Sequence, residues 1–437
     1  MDEMINVFWF RRDLRLNDNR GLYEALKSGR RVLPVFIFDT EILSKLQPDD
    51  KRVLFIHNRV EALNTRLSAF NTSLLVYHGS PVDVFRQIIS EHEVETVFTN
   101  RDYEPAAIQR DLAVAGLLSA HGTGFISFKD QVLFEAGDIL KPDGNPYVVF
   151  TPYSRKWLEQ LNQDGLKSFD TESVSSGFVK SPSNPIPSLA QMGFDAGNQN
   201  FPEMSIPVEL IANYATTRNY PGLDRTTRLG MHLRFGTISV RDCIRAGQQF
   251  SAAWLNELIW REFFMQIMAF YPGVVNHAFK PVYDRIQWSD NEHHFRSWCE
   301  GKTGYPLVDA GMRELSQTGF MHNRVRMVAA SFLTKHLLID WRWGEAWFAE
   351  KLLDFELSSN NGNWQWAAGS GCDAAPYFRI FNPSEQLKKF DPDSIYVKRW
   401  VPEYETIDYP EPIVVHAEAR KRCFQVYTDA LKPGKHE

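Results

Sequence analysis

The feature that most narrows the fold of this chain is a change of hydrophobic period partway along it. Short apolar runs at Met4–Phe10 (MINVFWF), Arg31–Phe38 (RVLPVFIF), Ser73–Tyr77 (SLLVY) and Glu95–Phe98 (ETVF) read as strands. Val53–Ala69 and Val82–Glu91, between them, carry apolar residues at helical spacing. Runs that are apolar throughout suit strands covered on both faces, and their alternation with helices calls for a parallel sheet wrapped by helices. The first run breaks into RRDLRLNDN (residues 11–19), a polar turn whose Asp and Asn can cap the next helix. From Lys167 to about Phe201 the chain turns rich in Ser, Pro, Asn, Gln and Gly, the composition of a connecting segment. Beyond it the alternation nearly vanishes, and Trp254–Phe270 and Asn323–Ile339 show long helical periodicity. These patterns predict an α/β N-terminal domain with a doubly wound parallel sheet, a long linker, and a large all-α C-terminal domain.

The α/β part has neither a GxGxxG nor a GxxxxGK[ST] motif; Gly122-Thr-Gly124 is a lone GxG with no helix-opening third glycine, so this part is a poor dinucleotide binder. A composition of 43% hydrophobic and 23% charged residues excludes a disordered chain. The net charge of −6 excludes a uniformly basic coat but leaves room for a local positive groove. No apolar run reaches the roughly 18–20 residues of a membrane span, and MDEM lacks a signal-peptide layout, so a cytoplasmic protein is expected. Cys243, Cys299, Cys372 and Cys423 are far apart without CxxC pairing, which suggests neither a disulfide framework nor a metal site.

Indole is concentrated in the second half: of 12 Trp, all but Trp9 and Trp157 lie at or after Trp254. A single Trp is more often core than functional, so its neighbours must decide. In Thr226-Thr227-Arg228-Leu229-Gly230 hydroxyls, a guanidinium and a small residue crowd a helix boundary. Such a group can hold a phosphate or simply start a helix. In WLNELIWREFF, Trp260 and Arg261 follow Glu257 at three and four residues, on one helical face. If that face lines a cavity, Trp260 is a stacking platform and Glu257 its hydrogen-bonding neighbour; otherwise Glu257–Arg261 is an ordinary ion pair beside a core Trp. MHNRVRM adds a second polar face, with Asn323 and Met327 four apart and Arg324 pointing elsewhere; alone it reads as a partly exposed helix start. Asp354 to Trp366 is a polar loop running into paired indoles, and the segment from Asp373 to Pro383 is too polar and proline-broken for simple core.

Taken in order, FWFRRDLRLNDN, WLNELIWREFF, EGKTGYPLVDAGMREL, MHNRVRM, NNGNWQWAAG and DAAPYFRIFNP resemble the photolyase/cryptochrome family over essentially the whole chain, most nearly its class I cyclobutane pyrimidine dimer photolyases. The resemblance implies residues 1–130 as an antenna-type α/β domain, 131–200 as linker and 201–437 as a helical, catalytic FAD-binding domain. It implies FAD in a bent form, fully reduced when active, held by Tyr214, Thr226, Thr227, Arg228, Leu229, Gly230, Trp254, Glu257, Arg261, Asn323, Arg326, Asp354, Glu356 and Asn360. Asn360 matches the residue facing flavin N5, and Asp354 would pair with Arg326. Gly230 stands where several relatives carry Ser, and Glu356 where many carry Asp.

The resemblance further implies a lesion pocket of Glu257, Trp260, Asn323, Met327 and Trp366, with Arg324, Arg379 and Lys389 as phosphate contacts. A dimer must leave the duplex, so stacking surfaces are needed to offset unstacking, and Glu257 and Asn323 would bond the base edges. Glu257, Asn323 and Asn360 are thereby the implied catalytic set, and Trp364, Trp341 and Trp288, from flavin to surface, the implied electron relay. The partner implied is DNA containing pyrimidine dimers, met by a monomer. Asn323 and Met327 stand where repair enzymes for six-four photoproducts resemble a pattern with histidine. In the N-terminal domain a second, antenna chromophore is implied. Folate-binding relatives have Asn-Glu where Ala106-Ala107 follow Tyr103-Glu104-Pro105, which argues against a folate there and leaves a deazaflavin, a second flavin or no antenna open. A cryptochrome without repair is the alternative, opposed by the intact lesion-pocket residues and by the lack of a long low-complexity tail. A conventional flavin oxidoreductase is opposed by the lack of a dinucleotide fingerprint.

Overall fold

The computed structural model describes residues 4–374 and 376–432. Five strands form one parallel sheet in the order β3-β2-β1-β4-β5: β1 (Ile5–Phe10), β2 (Val32–Asp39), β3 (Leu75–Gly79), β4 (Val94–Asn100) and β5 (Gly124–Phe128). The helices α1 (Arg20–Lys27), α2 (Lys51–Ser68), α3 (Pro81–Glu91) and α4 (Pro105–Ala120) connect them. The expected parallel α/β sheet is thus borne out, with one strand more than the periodicity shows. β5 escapes the apolar pattern because its five residues lie at the sheet edge and are at most half-buried, and its first residue, Gly124, reads in sequence only as part of a GxG.

The strand order reverses between β1 and β4, where doubly wound folds open a ligand crevice. Here the carboxyl ends of these strands are filled by the chain's own polar groups. Asn100 Nδ2 donates to Asp13 Oδ2 at 2.6 Å and to Asn19 Oδ1 at 2.8 Å, and Arg11 is bonded to Asp111 and to the carbonyl of Asn100.

The chain groups into two compact units: residues 1–135, 160–206 and 228–246, and residues 136–159, 207–227 and 247–437. In the first, Arg241 Nε reaches Asp18 at 2.7 Å and its Nη2 reaches Asp130 at 2.8 Å, while Arg15 meets Asp130 at 2.6 Å, all nearly free of solvent. A buried carboxylate is tolerable only when paired, and these two arginines hold Asp130 below the usual range against the effect of burial. Gly236, at φ 61°, lets residues 228–246 lie flat on the N-terminal segment, since a Cβ there would sit 2.0 Å from the carbonyl oxygen of Arg12.

The second unit is helical and sits on a large apolar core containing Trp298, Leu307, Met312, Phe332, Trp341, Phe348 and Trp364. Its helices include α5 (Phe150–Asp164), which belongs to it through residue 159, α6 (Ala252–Phe270), α7 (Pro306–Thr318), α8 (Asn323–Ser331), α9 (Trp341–Lys351), α10 (Leu357–Ala368), α11 (Pro383–Phe390) and α12 (His416–Leu431). The stretch 131–200, read as a linker, contains α5 and two short 3-10 turns. The continuous helix expected over Asn323–Ile339 is interrupted: α8 ends at Ser331 and Phe332–His336 form a π-turn. This widened turn places Lys335 and His336, both essentially without exposure, among buried neighbours. All four cysteines are buried. Among the described residues no helix is long and apolar enough to cross a membrane.

Candidate functional site

A cavity open to solvent lies in the helical unit, walled by α8, α9, α10 and the turn before α10. Asn323, Arg326 and Met327 enter it from α8, Asp354 and Glu356 from the turn, and Asn360, Trp364 and Trp366 from α10, with Phe348 and Leu352 as apolar wall. His322 caps α8 through its Nδ1, accepting from the Arg324 N–H, and so fixes where Asn323 begins the helix. Seven residues per two turns then put Asn323, Arg326, Met327 and Ala330 on one face.

Arg326 Nη2 donates to Asp354 Oδ2 at 2.9 Å, and its Nε to the carbonyl of Met321 at 2.7 Å. The other carboxylate oxygen of Asp354 is buried without a hydrogen-bond partner among the described residues. An unpartnered acceptor in a cavity wall fits a ligand that brings an N–H or O–H donor. Asn360 Nδ2 donates to the Glu345 side chain at 2.9 Å and to its backbone carbonyl at 3.1 Å, so Oδ1 is the amide atom left for the cavity. Burial pushes the Glu345 carboxyl up, and the bond from Asn360 only partly offsets that.

Glu257, Trp260 and Arg261 lie on α6 and do not line this cavity, but Arg261 Nε lies 2.9 Å from Glu356 Oε2 and ties the helix to its wall. The ion pair offered by the four-residue spacing does not form. Glu257 instead meets Arg218 at 2.6 Å and the Tyr214 hydroxyl, because partners distant in sequence reach it first. Burial raises the Glu257 carboxyl above the ordinary glutamate range, while Arg218 and Tyr214 pull it down without cancelling that effect. Arg218 has no signal in the sequence, being a lone arginine beside a short helical turn.

Trp254 is buried near the start of α6. Thr226, Thr227 and Arg228 are half-buried, Arg228 has φ 51°, Leu229 is buried, and Gly230 opens a short helix, Gly230–Arg234. None of these residues, nor Tyr214, is part of the cavity wall.

Arg324 does not line the cavity; it donates to Asn219 Oδ1 at 2.6 Å and to the sulfur of cavity-lining Met327 at 3.7 Å, and lies 4.3 Å above the Phe390 ring. Lys389 is exposed and 5.3 Å from the same ring, so the two cations share one platform. Arg379 is exposed, and its carbonyl accepts from Lys335 Nζ at 3.0 Å. Burial and the charges of Arg218 and Arg379 depress Arg324, which marks the three as an electropositive group.

Trp364 and Trp341 belong to the same buried core, and half-buried Trp288 packs against it. Trp364 is edge-on to Phe348 at 5.0 Å and to Trp298 at 6.0 Å. Gly344 allows α9 to approach, since a Cβ there would meet Trp364 Cη2 at 2.2 Å. In the α/β unit, Tyr103 donates to Glu135 at 2.8 Å, and Glu104 accepts from Arg234 at 2.6 Å.

The description "DNA photolyase" matches residues 6–172, and "FAD binding domain of DNA photolyase" matches residues 254–408. The deoxyribodipyrimidine photo-lyase of Halobacterium salinarum is 35% identical over 98% of this chain and 99% of its own. A bacterial class III photolyase from Agrobacterium tumefaciens has a similar structure, with a TM-score of 0.86 and 32% identity over 99% of both chains. So has an archaeal photolyase from Sulfolobus tokodaii with two FAD molecules, at a TM-score of 0.80 and 32% identity, covering 98% of this chain and 100% of that one. With both parts of the chain matched and full-length relatives at this identity, the chain belongs to the DNA photolyase family and carries that family's FAD-binding domain.

Proposed function

We propose that the chain is a deoxyribodipyrimidine photo-lyase, which restores pyrimidines from cyclobutane dimers in DNA under light. The observation that carries this reading is that one cavity brings Asn323, Met327 and Trp366 beside Asp354, Arg326, Glu356 and Asn360. The first three suit two flipped, linked pyrimidines; the others suit a flat heteroaromatic cofactor with hydrogen-bonding edges.

FAD fits these residues. The unpartnered Asp354 oxygen, the Asn360 amide oxygen and the Arg326 guanidinium supply acceptors and a donor, and Phe348, Leu352 and Ala367 supply apolar surface, within one cavity. FAD held there in its reduced form would supply light-driven one-electron chemistry to the dimer, with no net redox change. The residues do the rest. Asn360 is held by Glu345 so that it keeps one orientation toward the cofactor site, and Arg326 holds Asp354 in place. Glu257, whose carboxyl is raised by burial, is the group we assign to hydrogen-bond a base edge of the lesion, where charge accumulates. Trp260 and Trp366 stack on the flipped bases, and Arg324, Arg379 and Lys389 bind flanking phosphates.

Trp364, Trp341 and Trp288 form the route by which an oxidised cofactor is returned to its active state. An electron leaving Trp364 is replaced from Trp341 and then from Trp288, whose partial exposure lets a reductant in solution restore it. For the α/β unit we favour no folate at Ala106-Ala107, because Tyr103 and Glu104 are already bonded within the protein.

The test is repair of a dimer-containing oligonucleotide by protein with fully reduced FAD, under blue light and in darkness. Restored thymine in light alone is the expected result. Tight FAD binding and photoreduction without repair would replace this reading with a signalling photoreceptor of the same fold.

A further inference from the structure

Trp260 is the residue whose surroundings are least explained by cofactor binding or by the relay. Its ring lies flat against Phe150, with centroids 3.6 Å apart and planes within 3°. Phe263 meets both rings edge-on, at 5.7 Å from Phe150 and 5.6 Å from Trp260. Phe264 closes a further side at 5.5 Å. Phe150 is buried whereas Trp260 is half-buried, so one indole face is covered and what remains accessible lies away from Phe150.

Phe150 is itself fixed. It begins α5, and its N–H donates to the carboxylate of Asp373 at 3.0 Å. Seven residues on, two turns along the same face, Trp157 Nε1 donates to Glu262 of α6 at 2.6 Å, in a buried bond. One contact at each end of this face therefore locks α5 to its surroundings, and the register of Phe150 against Trp260 follows.

We propose that Phe150 is a positioning residue for the damaged bases, backing Trp260 so that the indole keeps the one orientation in which its free face receives a flipped pyrimidine. The inference rests on the assignment of Trp260 to the lesion pocket. An unbacked indole would sample several rotamers, and binding would have to select one, which weakens affinity without touching any group that meets the lesion. Parallel stacking is the relevant property, because a leucine of similar volume fills the space but does not hold a ring plane.

The experiment compares Phe150→Leu, Phe150→Tyr and Trp260→Ala for affinity to oligonucleotides with and without a dimer, for FAD content, and for the 19F resonance of 5-fluorotryptophan at position 260. Base–aromatic stacking contributes about 1–3 kcal/mol per base, so Trp260→Ala is expected to lose roughly 5- to 150-fold in dimer affinity. Phe150→Leu is expected to lose about 5- to 10-fold, a part of that stacking, with undamaged-DNA affinity and FAD content unchanged and the 260 resonance broadened or split. Phe150→Tyr should restore both the dimer affinity and the single, sharp 260 resonance. Dimer affinity within twofold of wild type in Phe150→Leu, beside a clear loss in Trp260→Ala, overturns the proposal. A parallel fall in FAD content and undamaged-DNA affinity overturns it too, by assigning Phe150 to packing alone. Normal dimer affinity in Trp260→Ala would instead remove the lesion-pocket assignment on which the proposal stands.

Discussion

At Glu257 two effects of opposite sign meet: burial raises the carboxyl, and the Arg218 and Tyr214 bonds lower it by less. The consequence is a side chain that keeps its proton to higher pH than a free glutamate. The proposed bond donated to the lesion would be present below that raised pKa and lost as pH climbs through it, so wild-type affinity for dimer-containing DNA should decline over that range. Glu257→Gln, a donor at every pH, should bind with a flat profile; competition binding between pH 5 and 9 decides it. Lys335 gives the opposite slope in stability. Its amine, buried and near Arg379, is pulled down from 10.5 to about 8, chiefly by burial. Between those values the unfolded chain still holds a proton that the folded one has released, so this residue makes stability rise with pH. Other groups titrate there, the buried tyrosines in the reverse sense. Urea melts of wild type and Lys335→Met at pH 7.5 and 10 should therefore differ in slope, by about 1–3 kcal/mol over the interval. Residue types and spacing make much of the cavity legible, since Asn323, Arg326 and Met327 share a helix face and Asp354 to Trp366 are contiguous. Glu345, Arg218 and Phe150 are illegible because each acts through a partner outside its own motif, which spacing within one segment cannot reveal.

At the level of elements, the π-turn Phe332–His336 is where helical periodicity misleads. The apolar pattern runs on to Ile339, but inserting a widened turn brings Lys335 and His336 inward, where an unbroken helix would have placed other side chains. His336 Nε2 lies 2.8 Å from His416 Nδ1 at the start of α12, and burial with the neighbouring His416 lowers its pKa from 6.5 to about 3. Below pH 6.5 the unfolded chain takes up a proton that the folded one refuses, so stability is lost as pH falls toward 3. His336→Phe should blunt that loss by a few kcal/mol at pH 4, measured by thermal or urea melts against wild type. The packing of α9 on α10 depends on Gly344 in a different way. A methyl group there collides with Trp364, and Gly344→Ala should cost about 1–3 kcal/mol through overpacking. It should also slow photoreduction of bound FAD, visible by flash absorption, because the displaced indole is the first member of the proposed relay.

For the whole molecule, charge and connectivity matter more than any one side chain. The net charge of −6 predicts nothing about DNA by itself, whereas the grouping of Arg218, Arg324, Arg379 and Lys389 does. Replacing Arg379 and Lys389 by Gln should weaken binding of damaged and undamaged DNA alike, and reduce the slope of log affinity against log salt by about 0.9 for each phosphate that is no longer neutralised. The two-part layout is legible from hydrophobic period. The return of residues 228–246 to the first unit is not, because Arg241 and Gly236 carry no mark of their partners in the sequence. That return has a consequence for how the protein is made. Until Arg241 has emerged from the ribosome, Asp18 and Asp130 lack a cation that the finished α/β unit gives them. Removing one partner from a buried ion pair costs about 3–5 kcal/mol, a large share of a domain's stability. At roughly 5–20 residues per second, the hundred or so residues after the last strand take about 5–20 s to translate. For that interval the nascent first unit is an unfinished body, open to chaperones and proteases, and it closes only when helical residues already belonging to the second unit have been synthesised.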